Sequence, residues 1–261
     1  MPAQPLAAFA VDSVAVEIYP DKATLSGATA DFVAGHIRAA IADRGHARVI
    51  FATGASQYDF LDALCAAPDI DWSLVTAFHL DEYVGIAADH PASFCRYLQE
   101  RIFRRLPFGA VHLLQGDAPD PAAECRRYAA LLAESPVDIA CVGIGENGHL
   151  AFNDPPADFT TSAGVHVVQL DEACRRQQVG EGHFPSLAAV PPQALSMTVP
   201  AILAAAVISC VVPDARKAEA VRGTLQDPID PDCPASALRT HPHCHVYLDS
   251  ASAGLLKGHA Q

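Results

Sequence analysis

Positive charge is what this chain has least of. Its 17 Lys and Arg stand against 30 Asp and Glu, for a formal net charge of −13, and the basic residues form no run. A nucleic-acid backbone or an anionic membrane needs a clustered basic face, so neither is an expected partner. A small anionic ligand stays open, because a local pocket can oppose the overall sign. Long apolar runs are also missing. The best candidate, residues 194–212, is broken by Ser196, Thr198, Pro200 and Ser209, whereas a membrane helix needs about 20 predominantly apolar residues. Residues 1–10 lack the basic segment of a secretory signal. The eight cysteines (Cys65, Cys95, Cys125, Cys141, Cys174, Cys210, Cys233 and Cys244) contain no C-x-x-C pair. Reduced thiols and a cytoplasmic location are the expectation.

The signatures of several enzyme classes are absent too: G-x-S-x-G and H-E-x-x-H do not occur, and the turn at 53–56 is neither a Walker A sequence nor a G-x-G-x-x-G fingerprint. No cysteine has the surroundings of a nucleophile.

What is present is a chain able to fold around a sizeable core, 51% hydrophobic and 18% charged. Its 261 residues suit one α/β domain or two small ones. No repeat, low-complexity tract or linker divides them, so one domain over 1–261 is expected. The pattern predicts strands over 14–19, 47–52, 72–80, 111–114, 137–142, 160–170, 194–199, 206–212 and 244–248. Helices are predicted over 28–42, 58–64, 91–105, 121–134, 171–178 and 214–225, with a short one opened by Pro200 and loops over 180–192 and 226–234. Such alternation predicts an α/β fold with a mostly parallel sheet flanked by helices.

Three stretches carry chemistry-bearing residues at strand ends, where ligands of open α/β sheets bind. In the first, the apolar run 137–142 meets a turn punctuated by Gly143, Gly145 and Gly148. This turn carries Glu146, Asn147 and His149, and Asp154 follows. A His between an amide and a carboxylate is a candidate acid/base group; a glycine-rich turn with a surface His fits equally well. In the second, Thr53-Gly54-Ala55-Ser56 closes a strand and opens a helix, where backbone N–H groups and the helix dipole suit a phosphate. Gly54 would admit the ligand closely and Ser56 add a hydroxyl, or Ser56 would simply cap an ordinary turn. In the third, Asp81-Glu82 ends an apolar strand. Partial desolvation there makes a base of Asp81, while a turn-initiating Asp is the plainer reading. The tract His241-Pro242-His243-Cys244-His245 puts His243 and His245 on one strand face. It fits no zinc spacing and reads as the polar face of a strand; no metal or cofactor is expected.

Taken together these pieces resemble the glucosamine-6-phosphate deaminase/isomerase family, relatives of the 6-phosphogluconolactonases. The resemblance runs through Ala52-Thr53-Gly54-Ala55-Ser56 and Phe78-His79-Leu80-Asp81-Glu82-Tyr83-Val84-Gly85 with Asp89-His90-Pro91-Ala92-Ser93-Phe94. It continues through Gly143-Ile144-Gly145-Glu146-Asn147-Gly148-His149-Leu150-Ala151-Phe152-Asn153-Asp154-Pro155 and Pro192-Gln193-Ala194-Leu195-Ser196-Met197-Thr198-Val199, with Lys217, Ser236-Ala237-Leu238 and His241. It implies a Rossmann-like fold and a cofactor-independent enzyme of amino-sugar metabolism. The family reaction opens the pyranose, moves a proton between C2 and C1, and releases ammonia. By this resemblance Asp81 is the proton-moving base, His149 the ring-opening acid/base, and Asn147 and Asp154 stand at the positions of its supporting carboxylates. Thr53, Gly54, Ala55, Ser56 and Lys217 are implied to hold the phosphate.

Two departures from the family pattern stand out. Asn147 and Asp154 replace the usual Asp and Glu; an amide can orient an imidazole but cannot balance its charge, unless Glu146 substitutes. The familiar Ser-Arg-Thr-Arg-x-Lys-Thr run is replaced by Thr160-Thr161-Ser162-Ala163-Gly164-Val165-His166-Val167-Val168, without Arg or Lys. Arg175, Arg176 and Arg239 are candidates to compensate. The expected ligand is a small sugar phosphate. A lactonase, or a sugar-phosphate-binding regulator without activity, are the alternatives; a pure binder has no need of Asp81, His149 and Asp154 together. The composition permits a homo-oligomer without requiring one.

Overall fold

The computed structural model describes residues 4–180, 182 and 184–258. A hairpin comes first: β1 (Ala7–Val11) pairs antiparallel with β2 (Val14–Tyr19). The Asp21 carboxylate then accepts the Thr24 N–H at 2.8 Å and so caps α1 (Lys22–Arg44). β3 (Ala47–Phe51) leads through the 3-10 turn Ala55–Gln57 into α2 (Tyr58–Cys65). β4 (Val75–His79) and β5 (Asp81–Tyr83) follow, then α3 (Phe94–Leu98), which continues as a π-helical turn over Gln99–Phe103. Next come β6 (Ala110–Val111), α4 (Pro121–Ala133), β7 (Ile139–Val142), β8 (Val165–Gln169) and α5 (Glu172–Gly180). The chain closes with β9 (Gln193–Met197), α6 (Val199–Leu203), β10 (Val207–Val212), the 3-10 turn Ala215–Lys217, α7 (Ala218–Gln226) and β11 (Cys244–Asp249).

Eight strands form one sheet in the order β1-β2-β11-β10-β7-β3-β4-β6, parallel throughout except for the β1–β2 hairpin. From β3 the chain steps outward to β4 and β6; from β7 it steps the other way to β10 and β11. The reversal between β3 and β7 is a topological switch point, and loops leaving neighbouring strand ends there diverge to leave a crevice. The sheet is covered on both faces, as parallel sheets are. Along β3, Val49 and Phe51 face α1 and α2 (Leu25, Val33, Ile37, Phe60, Leu61, Leu64), whereas Ile50 faces the opposite layer with Phe78, Val142 and Tyr128.

The predicted α/β class and mostly parallel sheet are found. The differences are local and have physical reasons. β1 was not expected; its sequence Ala7-Ala8-Phe9-Ala10-Val11 is half exposed on alternate residues and poor in β-branched side chains. The strand expected over 72–80 is shorter, because Trp72–Leu74 forms a 3-10 turn capped by Asp71. Asp81 does not end that strand but begins β5, in a second sheet of order β5-β9-β8. The helix expected from Pro91 starts at Phe94, where Ser93 accepts the Arg96 N–H at 3.3 Å. The 160–170 strand begins only at Val165, because Asp158 holds Thr160 and Thr161 in a turn. His243 precedes β11; His241 Nε2 bonds the Ala205 carbonyl at 2.8 Å and His245 packs on Phe32. Among the described residues no His/Cys/Asp/Glu cluster could hold a metal, and no helix is long and apolar enough to cross a membrane. Within the expected 180–192 loop, Glu181 and His183 lie outside the described residues, as does the Cys174 side chain.

The Tyr128 hydroxyl fastens the end of β4. It accepts the His79 N–H at 2.8 Å and donates toward the His79 and His112 carbonyls at 3.0 and 3.2 Å. Tyr128→Phe leaves that buried N–H unpaired, so unfolding should become easier by about 1–3 kcal/mol, a drop of a few degrees in Tm at this length. An unchanged urea midpoint would refute the assignment.

Candidate active site

A cleft lies at the switch point. Three loops of the large sheet build it: residues 53–56 after β3, 143–149 after β7, and the Ala215–Lys217 turn after β10. Asp81 and Leu80 form another wall, and Phe94, Phe152 and Gln178 line it as well.

The 53–56 loop is fastened from behind. The Gly54 carbonyl accepts the Tyr97 hydroxyl at 2.8 Å, and the Ala55 carbonyl accepts Lys22 Nζ at 3.0 Å. A trans peptide sets its N–H opposite its C=O, so the N–H groups of Ala55 and Ser56 point away from those anchors; both residues line the cleft. Gly54 has φ of 101°, a conformation only glycine adopts easily. Backbone N–H groups at a helix start suit an anion. Lys217, buried to 7% exposure, lines the same cleft.

Asp81 is 6% exposed. Its burial, and next the charge of the adjacent Glu82, push its carboxyl well above the usual range. Glu82 is itself fully occupied: it accepts the N–H groups of Tyr83 (2.9 Å), Phe94 (3.2 Å) and Cys95 (2.9 Å) and the Ser93 hydroxyl (2.6 Å) at the start of α3. The two adjacent carboxyls therefore divide into a tied structural group and one that faces the cleft.

In the turn after β7, His149 Nδ1 lies 3.2 Å from Asp154 Oδ1, close enough for an ion pair though not aligned as a hydrogen bond. Asn147 donates to that same Asp154 oxygen at 3.0 Å and accepts the His149 backbone N–H at 3.2 Å. This corrects the expectation that Asn147 orients the imidazole; the amide orients Asp154 instead. Glu146 does not substitute for it either, since it pairs with Arg216 at 3.4 Å. A Cβ on Gly145 would lie 2.3 Å from three atoms of the His149 ring, so only glycine lets the ring lie there.

Ser196 of β9 joins the two halves. Its backbone pairs with Asp81, while its hydroxyl accepts the Phe152 N–H at 3.1 Å. Asn153 adds a bond to the Met197 carbonyl at 2.8 Å.

Of the residues singled out at the three strand ends, Thr53, Gly54, Ala55, Ser56, Asp81 and His149 line this cleft, Glu146, Asn147 and Asp154 lie in or just after its turn, and Glu82 turns away from it. Arg175, Arg176 and Arg239 do not line it either: Arg175 bonds the Leu187 and Val190 carbonyls, Arg176 pairs with Glu172, and Arg239 with Asp12. Arg216 and Gln178 line the cleft and went unnoticed in the sequence; the basic pair at the start of the 214–225 helix was the available signal for Arg216. Buried thiols are far from nucleophilic, with burial pushing Cys125 to about 11 and Cys244 to about 12.

Residues 20–246 match the family described as glucosamine-6-phosphate isomerases/6-phosphogluconolactonase, and the chain belongs to that family of enzymes. More narrowly, it is 42% identical over 184 residues to a glucosamine-6-phosphate deaminase of Exiguobacterium sp., covering 70% of this chain and 71% of the relative. It is 39% identical over 205 residues to one of Latilactobacillus sakei, covering 78% and 85%. A solved glucosamine-6-phosphate deaminase, described as monomeric, superposes with a TM-score of 0.85 at 33% identity, covering 92% of this chain and 99% of the other.

The raised pKa of Asp81 has a consequence for stability. Between its unfolded value near 3.8 and its higher folded value, the folded chain holds a proton that the unfolded chain releases. Stability therefore falls as pH rises through that window, and the cost stays in full above it. Asp81→Asn should gain stability over wild type, with the gap in unfolding midpoint widening from acid to neutral pH. A gap independent of pH would refute the assignment.

Proposed function

We propose that this enzyme converts glucosamine 6-phosphate and water into fructose 6-phosphate and ammonia. The observation that carries the reading is a single cleft with the Asp81 carboxyl in one wall, His149 beside Asp154 in another, and the 53–56 loop with Lys217 at its end. The names of the similar deaminases support it.

The phosphate rests on the loop N–H groups of Ala55 and Ser56, with Thr53, Gly54 and Lys217 around it, and does not react. Its binding fixes C1 and C2 of the sugar over Asp81. Asp154 beside Nδ1 favours the tautomer with the proton there, which leaves Nε2 of His149 to exchange a proton with the ring oxygen. Asn147 holds Asp154 in place for this role. Ring opening frees the aldehyde at C1. Asp81 then takes the C2 proton as O1 gains one, giving an enolamine. The proton returns at C1 as the nitrogen gives one up, so that the proton O1 gains is balanced by the one nitrogen loses. The C2 imine so formed adds water and expels ammonia. A carboxyl raised toward neutrality suits a base that must both take and return a proton.

The same reading puts the enzyme in amino-sugar metabolism, in the breakdown of N-acetylglucosamine, and in the cytoplasm; the seven described free thiols agree with a reducing compartment.

Ammonia release from glucosamine 6-phosphate is the test. Asp81→Asn should lower kcat by about 10²–10⁴-fold, and no ammonia from wild type would end the deaminase reading. Lactone hydrolysis that survives Asp81→Asn would favour a lactonase. Asp81 acts ionised, so the acidic limb of kcat/KM should lie well above the ordinary carboxylate range; a limb near pH 4 would contradict it. In Gly145→Ala the imidazole must leave its place, with an expected loss of about 10²-fold in kcat/KM. Wild-type kinetics in that variant would show that the ring position does not matter.

A further inference from the structure

Arg216 and Glu146 form an ion pair across the mouth of the cleft that the proposed chemistry does not use. Arg216 Nη1 is 3.4 Å from Glu146 Oε1, and the side chains are 39% and 38% exposed. The two residues sit on different loops, Glu146 in the turn after β7 and Arg216 in the turn after β10. Successive residues of a 3-10 turn project about 120° apart, yet Arg216 and Lys217 both line the cleft. They differ in setting: Lys217 is buried and Arg216 half-exposed at the opening.

We propose that Arg216 is the second cation for the substrate's phosphate, and that Glu146 is a placeholder carboxylate which holds the guanidinium at the cleft until the phosphate takes it over. The proposal rests on the deaminase reading of this cleft and supplies what that reading lacks. The region 160–168 contains no Arg or Lys and lines no part of the cleft. Arg175, Arg176 and Arg239 are engaged elsewhere. Lys217 provides a point charge, whereas a guanidinium fork can bond two phosphate oxygens at once.

The relative strengths allow the exchange. A half-exposed ion pair is worth at most about fivefold in an equilibrium. A charge-assisted bond between guanidinium and phosphate is worth about tenfold or more. A phosphate dianion held by the loop and Lys217 therefore outcompetes Glu146 for Arg216. Glu146 is not idle, because it opposes a cation that would otherwise repel Lys217 in the empty cleft.

The two partners should respond in opposite directions. Arg216→Gln should raise KM for glucosamine 6-phosphate about tenfold or more, with the loss falling on KM rather than kcat, and weaken inhibition by inorganic phosphate in parallel. Arg216→Lys should fall between the two. Glu146→Gln should strengthen phosphate inhibition by up to about fivefold. If both Gln variants weaken phosphate binding, the pair is a structural brace and the proposal fails. It also fails if Arg216→Gln leaves KM and phosphate inhibition unchanged. Protection against thermal unfolding by inorganic phosphate, measured on the same proteins, reads binding without turnover. Wild-type protection that is lost in Arg216→Gln supports the anion site even if no ammonia is released, which would overturn the deaminase reading alone. Protection equal in both proteins overturns the Arg216 assignment whatever the activity.

Discussion

Ser196 makes different bonds to the two halves of the cleft. Its backbone pairs with Asp81 in the small antiparallel sheet, and its hydroxyl accepts the Phe152 N–H in the segment that follows His149. The residue is fully buried, so both connections are shielded from water. The 53–56 loop and the His149 turn leave the large sheet side by side at its switch point, but Asp81 belongs to the other sheet. Asp81 and His149 therefore need a shared element to be held in register with each other. Buried Ser196 and the Asn153 bond to the Met197 carbonyl together set their registration.

The electrostatics follow from that placement. Two adjacent carboxyls in a buried strand would repel, and the chain resolves the conflict by giving them opposite treatment. Glu82 is surrounded by donors at the start of α3. Asp81 keeps no such set, and its neighbour's charge adds to the effect of burial. The arrangement lowers stability at neutral pH and leaves a carboxyl able to exchange a proton, the compromise expected where function needs a strained ionisation. Across the cleft, Asn147 neutralises nothing, but it spends one amide hydrogen on Asp154 and its oxygen on the turn's own backbone. Orientation is passed to the carboxylate, which then faces the imidazole.

The large sheet was legible because parallel strands buried on both faces leave nearly continuous apolar runs such as 137–142 and 206–212, each broken by a single polar residue. Strand ends then pointed to Thr53, Asp81 and His149. The small sheet was not legible. β5 has three residues, too few for a period of two to register, and β8 pairs with β9 across more than twenty intervening residues. Asn147 was misread because its partner depends on the turn's path, not its composition. Arg216 was passed over for the same reason: two consecutive basic residues normally diverge, and nothing in the local pattern says that this turn brings both to one opening.

The attachment of the 53–56 loop to Tyr97 and Lys22 bears on the thermodynamics of the proposed binding. Those anchors come from α1 and from the segment that opens at Ser93, not from the cleft, so the loop is ordered when the domain folds rather than when an anion arrives. The conformational entropy is lost once, during folding, and the ligand meets a preorganised surface. On the proposed reading, affinity for a phosphate is thereby tied to the integrity of the outer helices. Changes at Tyr97 or Lys22, neither of which lines the cleft, would loosen the loop and be felt as weaker binding.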